Sequence, residues 1–76
     1  MPLIQFKCYP KNLTKEQKES IAMKMVEAVR TEIDAPLEAY TVTCEEIQKE
    51  DWPDLVLPGL EKSPEIIVMD RGKFRT

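Results

Sequence analysis

The residue with the most unusual chemistry is Pro2, placed directly behind Met1 and ahead of the apolar run Leu3-Ile4-Gln5-Phe6-Lys7-Cys8. Inside a chain, the proline nitrogen is an inert amide. Initiator methionine is commonly removed when a small residue or proline follows it, and Pro2 then becomes an amino terminus carrying a secondary amine. An α-amino group titrates near ~8 before burial or neighbouring cations lower it, so this amine is suited to act as a general base near neutral pH. A plainer reading stands beside this one: proline suits the first residue of a strand, where its missing N–H costs no ladder hydrogen bond. Histidine is absent, which excludes imidazole acid–base chemistry, histidine triads and histidine metal sites. Cys8 and Cys44 show neither C-x-x-C nor zinc-ligand spacing and read as buried, reduced thiols of an intracellular protein. Glu45 and Glu46 are adjacent, hence on opposite faces of a strand, and form no carboxylate pair.

The elements that must position Pro2 follow from hydrophobic period and local punctuation. From Pro2 to Tyr9, Ile4, Phe6 and Cys8 alternate with Leu3, Gln5, Lys7 and Tyr9, the pattern of a strand with one fully apolar face. Pro10-Lys11-Asn12 breaks it. Thr14 and Gln17 make a capping box, so a helix is expected from about Lys15. Ile21, Met25, Val29 and Ile33 recur every four residues, with Ala22 and Val26 widening the stripe, over roughly five turns. That stripe is expected to pack on the protein's own sheet. Asp34-Ala35-Pro36 ends the helix, and Tyr40, Val42 and Cys44 alternate along a second strand reaching about Ile47. Strand, helix, strand is a βαβ unit of the α/β class, with parallel strands and a right-handed crossover. Gln48 to Pro58 is expected to be an ordered loop. Ser63-Pro64-Glu65 suggests a short helix capped by Gly72, although Ile66-Ile67-Val68 favours a strand.

Seventy-six residues make a single domain, 1–76. A chain this short buries only about 60% of its unfolded surface, and two strands are too few to fold alone, so oligomerisation is expected. Fourteen acidic residues against eleven basic ones give a net charge of −3, which offers no footprint for nucleic acid. With no signal peptide ahead of the first strand and no apolar run near the length of a membrane span, the expected location is cytoplasmic and away from membrane.

Pro2 heading a strand, Glu16-Gln17-Lys18 in the helix, Asp34-Ala35-Pro36-Leu37 and a second strand followed by Trp52 together resemble the 4-oxalocrotonate tautomerase superfamily. The likeness covers roughly residues 2–52. Within that superfamily the chain is more similar to the small bacterial PptA-type tautomerases that act on phenylpyruvate. Ile4, Lys7-Cys8, Tyr9, Pro10, Lys11 and Leu13 match their opening, Trp52 their tryptophan, and Ile66-Ile67-Val68 with Gly72 their tail. The resemblance implies keto–enol tautomerisation of a small 2-oxo acid, with Pro2 moving the proton and no cofactor. It also implies a homo-oligomer, a dimer as in the PptA type before a hexamer as in the better-known enzymes. Those hexameric enzymes bind and polarise substrate with an arginine in the second strand, where this chain has Thr41. A second arginine falls near Lys11. Loss of a bidentate guanidinium argues against a dicarboxylate substrate and for an aryl or alkyl monocarboxylate.

Such a reaction needs a base, a cation or donor for oxygen, and an apolar wall. Beside Pro2, Lys11 is the candidate for the carboxylate or enolate oxygen, or is a solvated loop lysine. Trp52 forms the wall over substrate, or anchors a core or an interface. Tyr9 and Tyr40 offer hydroxyl donors or simply pack. Lys7 lowers the pKa of Pro2 if it shares that face, or is merely exposed. Two other readings remain: a related hydration, dehalogenation or decarboxylation, for which the extra arginines are missing, and a non-catalytic oligomer that only binds.

Overall fold

The structure is a computed structural model that describes residues 1–75. The alternating opening forms strand β1, Leu3–Cys8, and the second alternating run forms β2, Thr41–Glu46. They pair in parallel and in register, Leu3 beside Thr41 through Cys8 beside Glu46. Ile4, Phe6 and Cys8 therefore share a half-buried face with Val42, Cys44 and Glu46. Between the strands runs helix α1, Lys15–Arg30. Its capping box is present: the Gln17 amide donates to Thr14 Oγ1 at 3.1 Å, and the Thr14 amide donates to Gln17 Oε1 at 2.8 Å. Val26 of α1 and Ile47 just beyond β2 are the two buried hydrophobic residues among those described.

α1 stops earlier than the apolar period suggests. The Glu32 and Ile33 amides both donate to the Val29 carbonyl, and the Thr31 hydroxyl turns back to Ala28 O at 2.7 Å. That local bonding competes with the ladder and closes the helix, leaving Ile33 half exposed. Both cysteines are free and only half-buried, which corrects the expectation of buried thiols.

The segment after β2 differs most from expectation. In place of a loop over 48–58, a 3-10 turn at Lys49–Asp51 leads into two short helices, α2 at Trp52–Leu55 and α3 at Leu57–Lys62. Pro53 and Pro58, inside that expected loop, each sit in the first turn of a helix, where an absent N–H costs nothing. The helix expected from Ser63 is a single 3-10 turn, Pro64–Ile66. Gly72 caps no helix. It lies with Arg71 in the two-residue turn of a hairpin, β3 (Met69–Asp70) against β4 (Lys73–Phe74). Both turn residues have positive φ, 51° and 79°, the mirror-image turn that matches strand twist.

One protomer leaves much of its apolar surface open. Leu55, Ile66, Val68 and Phe74 are all more than half exposed. The total accessible surface is 6403 Å², whereas a compact monomer of this mass exposes about 4,800 Å². The radius of gyration is 13.9 Å, against about 11.4 Å for a compact chain of this length.

Candidate active site

Pro2 stands at the head of β1, where its carbonyl accepts the Thr41 amide at 3.1 Å. Its ring is half-buried, while Met1 is 99% exposed and makes no part of the packing. Thr41, the position compared with an arginine, is exposed beside it. Tyr40 precedes Thr41, and its hydroxyl is buried without a hydrogen-bond partner among the described residues.

The other candidates gather at the far end of the strand. Tyr9 and Trp52 meet edge to face, ring centroids 5.0 Å apart at 83°, a favoured aromatic geometry. Lys11 follows in the loop between β1 and α1. That loop is held by Glu46, a carboxylate on the half-buried face of β2. One of its oxygens accepts the Lys11 amide and lies 3.5 Å from the Leu13 amide, while the other is 3.8 Å from Lys18 Nζ. The Lys11 amide bond is the main reason that the Glu46 carboxyl is held below its ordinary pKa, with the Leu13 amide and the Lys18 ammonium adding to it against partial desolvation. Asn12 takes up the left-handed φ of 53° that this turn requires. The sequence signal for Glu46 as a positioning group is an acidic residue on the same strand face as Val42 and Cys44, where a charge needs partners.

Between the exposed face of β1 and the α2–α3 segment lies an open cavity of about 650 Å³. Gln5 and Lys7 of β1 line one side, and Trp52, Leu55, Leu60 and Met69 are among the residues opposite. Among the described residues Lys7 is the one charged member of the lining, and its Nζ is 3.9 Å from the exposed Glu45 carboxylate on the neighbouring strand. Lys7 cannot tune Pro2 of its own strand: five residues of extended chain separate them, about 16 Å, beyond the Debye length at physiological salt.

Seven residues separate Pro2 from Tyr9, about 23 Å along a strand. The structure thus unites Tyr9, Trp52 and the Lys11 loop at one end of β1 and leaves Pro2 at the other. Among the described residues, β1 and β2 each have one edge unpaired.

A family model described as tautomerase enzyme matches residues 2–53. Tautomerase PptA of Enterobacter sp. (strain 638) is 31% identical over 52 residues, covering 68% of this chain and 68% of that protein. Tautomerase PptA of Shigella sonnei (strain Ss046) is 24% identical over 72 residues, covering 95% of this chain and 96% of that protein.

Proposed function

The chain belongs to the tautomerase family, and from that premise we propose that it interconverts the enol and keto forms of a small 2-oxo acid of the phenylpyruvate kind. Pro2 is the proton-transfer group once Met1 has been removed. In ketonisation its amine takes the enol O–H proton and a proton is delivered to the adjacent carbon, so the reaction needs no redox partner or group donor. Negative charge on the oxygen is met by a cation, for which Lys11 is the candidate, and Trp52 with Tyr9 walls the organic body. The observation that carries the reading is the position of Pro2 at the start of the first strand behind an exposed Met1. Removing that methionine sacrifices no packing.

The 23 Å between Pro2 and the aromatic pair is resolved by a second copy. Two β1 strands paired antiparallel along their free edges would set Pro2 of one protomer beside Tyr9 and Trp52 of the other. The active unit is therefore a homo-oligomer, with a dimer sufficient, working in the cytoplasm without nucleic acid or membrane.

The deciding measurement is the ketonisation rate of phenylenolpyruvate, followed by ultraviolet absorbance, for wild type with Met1 loss verified by mass beside Pro2→Ala. A positioned acid–base group contributes about 10² to 10⁴ in rate, so the variant should fall at least about a hundredfold. Equal rates would remove Pro2 from the mechanism. No rate above buffer would leave a binding oligomer that has kept only the fold.

A further inference from the structure

The cavity beside β1 combines two properties that together define a ligand. Its wall is apolar over most of its extent, from the Trp52 ring to Leu55, Leu60 and Met69, and it carries a single cation, Lys7, next to the neutral amide of Gln5. At about 650 Å³ it lies in the usual range for small-molecule sites, with room for an aromatic ring on a short chain. An apolar wall with one fixed cation selects an amphiphilic monoanion, since a second carboxylate would find no partner and a neutral body would leave the ammonium unused. We propose that Lys7 binds the substrate carboxylate in this cavity, with the aryl or alkyl body laid against Trp52 and the aliphatic wall.

This rests on the tautomerase reading for the identity of the anion. Lys7 holds the carboxylate in the cavity, which Lys11 does not line. The present partner of Lys7 supports its availability. Glu45 is 3.9 Å away, with side chains 33% and 57% exposed, a loose and solvated pair of little stability. An incoming carboxylate displaces Glu45 from Lys7 without leaving a buried charge unpaired. Glu45 is thus a built-in competitor for the same ammonium, and its charge sets how tightly the monoanion is held.

Trp52 is the only tryptophan in the chain and lines the cavity, so its emission reports occupancy without reference to turnover. The full-length protein is titrated with 3-phenylpropanoate and with the uncharged 3-phenylpropanamide. The carboxylate should produce a saturable change in emission. Lys7→Met should weaken it about tenfold, as for loss of a partly solvated charge-assisted contact, while Lys7→Arg retains it. Glu45→Gln should tighten binding several-fold, and the amide should be indifferent to all three substitutions. In ketonisation assays Lys7→Met should raise KM with kcat little changed. Equal carboxylate binding by wild type and Lys7→Met overturns the proposal. So does the lack of any saturable change, which means that the assembled protein fills the cavity itself. Lys7-dependent binding in a protein without tautomerase activity would keep the site and discard the reaction, whereas a Pro2-dependent rate with Lys7-independent binding would do the reverse.

Discussion

At the scale of single residues, Glu46 shows how one acidic side chain shapes a loop. Its carboxylate accepts the Lys11 amide and lies 3.5 Å from the Leu13 amide, which ties down the backbone of the turn after β1. Because the folded-state pKa is depressed, the stabilisation is fully present above the ordinary carboxylate value of about 4.3 and is lost as pH falls through the lower folded value. Glu46→Ala should therefore speed hydrogen exchange at the Lys11 and Leu13 amides several-fold near neutral pH. In acid, wild type should approach the variant. Unchanged exchange in the variant would show that the loop holds itself. Pro2, Tyr9, Lys11 and Trp52 were legible as candidates from residue type and from the resemblance, each beside an ordinary structural use that the sequence leaves open. Glu46 was signalled only by its strand face, and the cavity beside Lys7 not at all, since a strand pattern does not reveal what stands over either face.

Individual elements were legible to the degree that their signals were periodic. β1 and β2 alternate cleanly, and α1 announces its start by Thr14 and Gln17, whose reciprocal hydrogen bonds satisfy two amides that the helix leaves unpaired. Thr14→Ala should destabilise the protein by about 1 kcal/mol, measured by urea unfolding at a fixed protein concentration. A difference within error would mean that packing on the sheet alone fixes where α1 begins. The tail departs from expectation for a physical reason. Proline and glycine between Trp52 and Leu60 mark loops in general, yet proline is equally at home in the first turn of a helix. The structure distinguishes the two uses: Trp52–Leu55 and Leu57–Lys62 are helical, with the cavity between them and β1. The branched run Ile66-Ile67-Val68 likewise has strand propensity, but the ladder starts one residue later, at Met69, where the Arg71-Gly72 turn sets the register.

For the whole molecule, the surplus of about 1,600 Å² per protomer over a compact monomer is about twice the ~800 Å² that each partner gives to a standard interface. Sedimentation at micromolar concentration should give a dimer or larger, and the unfolding midpoint should rise with protein concentration because assembly and folding are linked. A monomer whose stability is independent of concentration would contradict the two-copy site. The parallel pairing of β1 with β2 also imposes an order in time. Every residue of β1 is matched to one 38 positions further along, Leu3 to Thr41 and onward. At the pace of synthesis, about 5–20 residues per second, that partner arrives about two to eight seconds after the strand it must join. During this interval the start of the chain has no ladder, and the Pro2 carbonyl still awaits the Thr41 amide.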